Sequence, residues 1–126
     1  MAVTYALATE MGYKAGANVN STYTGAGYLE KFGYMAEACI NLQSGNDWSA
    51  WYTTNGAGNP HVAYLLVDAA SNLGAIYIIN ADMSGFTNIQ EAVSRINTLY
   101  EMYKQDIVLL KEAMTKDNLR TSFKTI

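Results

Sequence analysis

The residues of this chain that could do chemistry are few and isolated. His61 is the only histidine and Cys39 the only cysteine. A histidine can act as a general base or bind a metal ion, but His61 has no partner at the spacing of a motif such as HExxH. A single cysteine excludes an internal disulfide and a CxxC motif. We therefore expect His61 to be a surface residue at a helix start, and Cys39 to be a buried structural thiol.

Two other patterns offer weaker signals of a reactive site. Gly25–Gly27 and Gly56–Gly58 are glycine-rich, but they lack the lysine or the preceding strand of a phosphate-binding loop. Glu91 and Arg95 are four residues apart, which is the spacing of a solvated helix face. The sequence therefore predicts a protein that is not an enzyme and that has no cofactor and no bound metal.

Charge is distributed unevenly along the 126 residues. Residues 1–114 hold five Lys or Arg and ten Asp or Glu, a formal charge of −5. Residues 115–126 hold three basic residues and one acidic residue, a formal charge of +2. The acidic body has no basic face for phosphates, which argues against sequence-specific DNA binding. The basic end is suited to an acidic partner.

The chain shows no sign of membrane targeting. Its start, Met1–Tyr5, lacks the basic and apolar regions of a signal peptide. The most apolar stretch, residues 61–81, contains Asp68, Asn72 and Asn80, so we interpret it as a buried core helix rather than a membrane span. These features favour the cytoplasm or a particle assembled there. Ten tyrosines and two tryptophans suit either subunit interfaces or half-buried positions, and both interpretations stay open.

Apolar spacing predicts an all-α fold, a bundle of four main helices with a long C-terminal helix and an extended C-terminal arm. Gly16 and Gly45 suit helix ends, Pro60 suits a first turn, and Thr87 with Gln90 forms a capping-box pattern. A flexible connector is expected over residues 53–59. The predicted helices cover residues 5–15, 25–43, 61–81 and 89–114, with a short helical turn at 46–52.

The last predicted helix carries an apolar stripe whose steps alternate between four and three residues. Such a stripe packs either against the helices of its own domain or against a second copy in a coiled coil. The stripe consists of Ile89, Val93, Ile96, Tyr100, Tyr103, Ile107, Leu110 and Met114. A second stripe, on residues 25–43, consists of Leu29, Phe32, Ala36, Cys39 and Ile40.

The stripe stops at Met114, so the chain divides into a helical domain, residues 1–114, and an arm, residues 115–126. Large apolar residues stand among basic and polar ones in the arm, a pattern typical of a segment that inserts into a partner groove or adds to a sheet edge. The alternative is a frayed terminus. The predicted partner-binding residues are Leu119, Arg120, Phe123, Lys124 and Ile126.

Several runs of residues occur in an order that is found in a known group of proteins. They are Val3–Met11, Tyr28–Glu30, Ala36–Asn41, Leu73–Tyr77, Asp82–Phe86, Leu99–Tyr100, Leu109–Leu110, and the pair Phe123 and Ile126. In this order the chain resembles the small all-helical head–tail connector (adaptor) proteins of tailed bacteriophages. It departs from them at Leu7, where a capping threonine is expected and Thr4 is the substitute candidate, and in a longer connector before Pro60.

The resemblance implies a structural virion protein of the phage neck, assembled in the host cytoplasm. Such proteins form rings, commonly of twelve copies, under the portal protein, and contact a further neck or tail protein. Their arms reach the portal or a neighbouring subunit. Genomic DNA passes through the ring without specific binding, which suits an acidic body, and no membrane is involved.

Two alternatives accompany this expectation. The first is a capsid accessory or tail-completion protein with a similar helical core. The second is a small cytoplasmic enzyme that uses His61.

Overall fold

The computed structural model describes residues 3–114, apart from the side chains of Ala26 and Met114. Over this range the protein is built from α-helices and two 3-10 turns, with no strand, so the predicted all-α class is confirmed. The helices are α1 (Ala8–Ala15), α2 (Ala26–Ser44), α3 (Trp48–Asn55), α4 (Pro60–Ala81) and α5 (Ile89–Met114). The predicted arm, residues 115–126, lies outside the described residues.

The central helix is α4, which packs most extensively against α5 and then against α1 and α2. Its buried residues run from Leu66 to Ile79. By length and composition α4 could also cross a membrane, since its most apolar 18-residue window has a mean hydropathy of 1.6. Of that window, 61% is buried inside the domain, as expected for a core helix.

Contacts at the two ends of α2 show its direction relative to α4. Asn20, which precedes α2, donates a 2.8 Å hydrogen bond to Asp82, which follows α4. At its other end α2 leads through α3 and the 3-10 turn Gly56–Gly58 into the first turn of α4. Thus α2 is antiparallel to α4. Because α5 also returns along α4 after a short turn, α2 and α5 run in the same direction.

Helix ends follow the sequence signals at three of the expected positions. Gly16 and Gly45 end α1 and α2 with φ angles of 89° and 78°, in the region that favours glycine. Pro60 begins α4. The predicted capping box at Thr87 is wrong, because Asn88 supplies the cap through its Oδ1, which accepts from the backbone N–H of Glu91 at 2.9 Å.

The start of the chain differs from the predicted helix over residues 5–15. Helix α1 begins only at Ala8, and Leu7 occupies its N-cap without a side-chain hydrogen bond. Thr4 is not the cap either, because it lies three residues before Leu7, in the segment that donates to Glu37. Tyr5 is fully buried at a bend in the chain instead of in a helical turn.

The segment before α1 is fixed to α2 by one carboxylate. Oε2 of the buried Glu37 accepts hydrogen bonds from the backbone N–H groups of Thr4, Tyr5 and Ala6 at 2.6, 2.8 and 2.8 Å. Close approach is possible because Gly33 has no side chain, since a Cβ there would lie 3.0 Å from Val3. Gly33 therefore lets the segment before α1 approach α2 closely.

Residues 46–59 are more ordered than predicted. In place of a short turn and a flexible connector, α3 runs to Asn55 and a 3-10 turn leads on to α4. The Asp47 carboxylate caps α3 by accepting from Ala50 N–H at 3.1 Å. Trp48 and Trp51 are buried with their rings edge to face, which anchors α3 to the core.

The buried stripe of α5 is rotated relative to the predicted one. Of the predicted positions, Tyr103, Ile107 and Leu110 are buried and Ile96 is half-buried. Three others, Ile89, Val93 and Tyr100, are exposed. Ala92, Leu99 and Asp106 of α5 are buried instead. These three residues are also spaced seven apart.

Candidate interaction surfaces

A buried polar cluster joins α1, α4 and α5. The fully buried Asn72 donates through Nδ2 to Oδ2 of Asp68 at 3.1 Å and to Oδ2 of Asp106 at 3.2 Å. The two carboxyl groups also hydrogen-bond to each other. Nζ of Lys14 lies 2.7 Å from Oδ1 of Asp68. We call these four residues the polar clasp.

The polar clasp holds a proton at neutral pH. Burial, together with the hydrogen bond and negative charge of Asp68, raises the pKa of Asp106 to about 8. Burial opposes ionisation of Asp68 as well, but hydrogen bonds from Asp106 and Lys14 outweigh it and lower the pKa of Asp68. Asp106 is therefore the protonated donor and Asp68 the ionised acceptor of the shared hydrogen bond.

A carboxylic acid beside a carboxylate is a combination that can serve acid–base catalysis. In this protein Asp106 is 7% exposed and Asn72 is fully buried. The polar clasp therefore has the geometry of a structural contact that connects α1, α4 and α5. Within residues 3–114, no group of three or more His, Cys, Asp or Glu side chains is arranged to hold a metal ion.

The two residues singled out for chemistry lie apart. His61 is exposed in the first turn of α4, as predicted. Cys39 is half-buried, and its Sγ lies 3.6 Å from the hydroxyl of Tyr103, which donates to Gln43. Burial raises the pKa of the Tyr103 hydroxyl far above its ordinary value. Cys39 thus marks the contact between α2 and α5.

Three large apolar side chains stay exposed along one line of α2. Tyr28, Met35 and Leu42 are seven residues apart, and Leu42 is 70% exposed. Seven residues correspond to about two helical turns, so the three side chains share one face. Met35 and Leu42 lie four residues before and three residues after Cys39, which places this line beside the α2–α5 contact.

A matching line lies on α5. Val93 and Tyr100 are exposed and again seven residues apart. Tyr100 is three residues before Tyr103, with the two rings stacked at 6.2 Å between centroids. Because α2 and α5 run in the same direction, the two lines are roughly parallel, one on each side of the Cys39–Tyr103 contact. We call the five side chains of these two lines, Tyr28, Met35, Leu42, Val93 and Tyr100, the apolar strip.

The ten tyrosines were expected either at subunit interfaces or at half-buried positions, and the structure contains both buried and exposed ones. Tyr5 and Tyr103 are core residues with hydrogen-bonded hydroxyl groups. Half of the ten are exposed, namely Tyr13, Tyr28, Tyr34, Tyr64 and Tyr100.

A second surface feature is a groove of about 580 Å³ between α1 and the N-terminal half of α4. Its lining includes Leu7, the N-cap of α1, with Glu10 and Lys14 of α1, Tyr64 and Asp68 of α4, and Tyr52 of α3. Tyr64 is 75% exposed. We call this feature the α1–α4 groove; its walls are largely apolar, with Glu10, Lys14 and Asp68 as its charged residues.

The predicted partner-binding residues fall outside the described range. Leu119, Arg120, Phe123, Lys124 and Ile126 all belong to residues 115–126, so the structure does not test them.

Sequence reasoning missed the polar clasp and the carboxylate of Glu37. A signal for the clasp was present, because Asp68 and Asn72 are polar residues four apart in an otherwise apolar helix. Polar side chains in a core helix need hydrogen-bond partners. For Asn72 the partner on another helix is Asp106.

Comparison of the chain with known protein families, curated proteins and solved structures finds no match. The apolar strip and the α1–α4 groove offer exposed apolar area on a helical domain.

Proposed function

We propose that this chain is a structural assembly protein, a head–tail connector of a tailed bacteriophage that forms a ring under the portal. The apolar strip is the observation that carries the proposal. It leaves five large apolar side chains exposed on neighbouring helices, and contiguous apolar surface of this kind typically marks a protein–protein interface.

The proposal includes a finer architecture than the all-α class. In it α1, α2, α4 and α5 are the four main helices of a bundle, with α3 covering one end. Residues 115–126 form an arm that binds the portal or a neighbouring subunit through Leu119, Arg120, Phe123, Lys124 and Ile126. Ring closure uses heterologous contacts, in which two different patches of the same chain meet.

The charge of the domain supports the same proposal. Residues 1–114 carry a formal charge of −5, which would let genomic DNA pass through a ring lumen without adhering. The basic arm, at +2, is free to bind a partner of opposite charge. In this proposal the protein is located in the virion, at the neck between head and tail.

Deletion of residues 116–126 tests the proposal in a pull-down with the cognate portal protein. The full-length chain should be retained by the portal, whereas the truncated chain should stay folded by circular dichroism and be lost. Equal retention of both chains would contradict the role of the arm. Retention by a capsid or tail protein, and not by the portal, would favour a capsid accessory or tail-completion protein instead.

A further inference from the structure

The α1–α4 groove has the chemistry of a peptide-binding surface. Leu7 and Tyr64 are 45% and 75% exposed, which is a large unburied apolar area for two facing helices. The carboxylate of Glu10 is exposed, whereas that of Asp68, 38% exposed, is paired with Lys14, which also lines the groove. Glu10 is thus the carboxylate that the groove offers to a basic partner. The groove therefore suits a segment that combines large apolar side chains with basic ones.

The end of α5 lies at the same height along α4 as this groove. Asn72 of α4 hydrogen-bonds Asp106 of α5, and these helices are antiparallel. Tyr64 precedes Asn72 by as many residues as Met114 follows Asp106. Both steps span about 12 Å at 1.5 Å per residue, so the end of α5 is level with Tyr64.

The chain that continues from this point has the matching chemistry. Residues 115–126 carry a formal charge of +2 and the large apolar residues Leu119, Phe123 and Ile126. With residues 119–126 in the groove, the tether is the five-residue step from Met114 to Leu119, which reaches about 17 Å when extended, more than the roughly 10 Å width of a helix. The tether is therefore long enough to cross α4 and reach the groove.

We propose that in the isolated protein, before residues 115–126 bind any partner, the α1–α4 groove binds residues 119–126 of the same chain. The apolar side chains cover Leu7 and Tyr64, and the basic side chains of Arg120 and Lys124 approach Glu10. The contact is intramolecular because a short tether raises the local concentration of the segment to about the millimolar range, above that of a second copy in dilute solution. This inference does not depend on the proposed phage function.

Paramagnetic relaxation in the isolated full-length protein tests the proposal. A nitroxide is attached at Thr125→Cys in a chain that also carries Cys39→Ser, and the amide signals of ¹⁵N-labelled protein are followed. The signals of Leu7, Ala63 and Tyr64 should be attenuated equally at low and high protein concentration. Attenuation that grows with concentration, or that occurs in a mixture of spin-labelled unenriched and ¹⁵N-labelled unmodified chains, would show that a second copy is the occupant and would overturn the proposal.

Two matched pairs of substitutions add a quantitative readout. Tyr64→Ser should weaken docking about tenfold or more, whereas Tyr13→Ser, at an equally exposed tyrosine outside the groove, should not. Glu10→Lys should weaken it roughly two- to fivefold, the effect of losing one exposed ion pair, whereas Glu30→Lys on α2 should not. No attenuation at the groove, or the same attenuation in Tyr64→Ser and Tyr13→Ser, would overturn the proposal. A pull-down with portal measures binding to a partner, whereas this experiment measures docking within the isolated chain. Failure of one proposal can therefore be distinguished from failure of the other.

Discussion

The carboxyl group of Asp106 in α5 hydrogen-bonds the carboxyl group of Asp68 in α4, inside a domain whose remaining core is largely apolar. The contact requires a proton, because two carboxylates at hydrogen-bond distance repel each other, the more so since Asp106 is buried. Asn72 donates to both groups, and Lys14 balances the negative charge on Asp68. The stability of the three-helix contact is therefore linked to pH.

Replacement of Asp106 by Asn should reduce this pH dependence. The folded-state pKa of Asp106 is about 8, above the ordinary value of 3.8. The stability that the bound proton contributes is thus fully present below pH 3.8 and is lost as the pH rises toward 8. An amide keeps the donor without titrating, so Asp106→Asn should gain stability relative to the wild type at about pH 8.5. Urea denaturation at pH 5 and pH 8.5 measures the difference, with the exposed Glu101→Gln as control, and parallel pH profiles for wild type and Asp106→Asn would contradict this assignment.

Removal of the Glu37 carboxylate should release the segment before α1. Glu37→Ala leaves the N–H groups of Thr4, Tyr5 and Ala6 without their acceptor, at a cost of about 2–4 kcal/mol in the free energy of unfolding. Glu30→Ala, on the exposed side of the same helix, should change it by less than about 0.5 kcal/mol. Chemical denaturation compares the two variants. Similar small effects in both would mean that the segment does not depend on this carboxylate.

Alanine at two helical glycines should have effects of opposite sign. A Cβ at Gly74 of α4 would lie 2.2 Å from Sδ and 2.8 Å from Cγ of the buried Met11, so Gly74→Ala should destabilise the protein by about 1–3 kcal/mol. A Cβ at Gly12 of α1 meets nothing within 4 Å, so Gly12→Ala should stabilise it by about 0.5–1 kcal/mol. Thermal unfolding followed by circular dichroism gives both signs. A stabilising Gly74→Ala would contradict the close packing of α1 on α4.

A charge on the apolar strip should impair assembly without unfolding the domain. Leu42 is 70% exposed, so Leu42→Asp should change the free energy of unfolding by no more than about 0.5 kcal/mol. Placed in an interface, the same carboxylate would be buried without a partner and should prevent association. Tyr13→Asp, at an 82% exposed residue away from the strip, is the matched control. Analytical ultracentrifugation with and without portal should separate the two variants, and equal behaviour would exclude the strip as the interface.

Local signals predicted much of this fold. Gly16, Gly45 and Pro60 mark real helix ends because the conformations of these residues are fixed by nearby backbone alone. The extent of α3 was not predicted, since its stability comes from Trp48 and Trp51 packing in the core. Such burial is a tertiary effect that short-range propensity does not contain.

The rotation of the α5 stripe shows why the interior was harder to predict than the helices. Counting large apolar residues favours Val93 and Tyr100 over Ala92 and Asp106, yet the latter pair is buried. Ala92 fits where helices approach closely, and Asp106 is accommodated by Asn72 on another helix. Partners 34 residues apart in the chain cannot be read from the periodicity of one helix.

The most direct test of the proposed assembly is the mass of the cognate portal particle measured by native mass spectrometry before and after addition of this chain. We predict that the portal gains a discrete increment equal to a whole-number multiple of the 13.8 kDa chain, consistent with a closed ring. Leu42→Asp and the chain lacking residues 116–126 should give no increment. An unchanged portal mass with the full-length wild-type chain in excess would contradict the connector function.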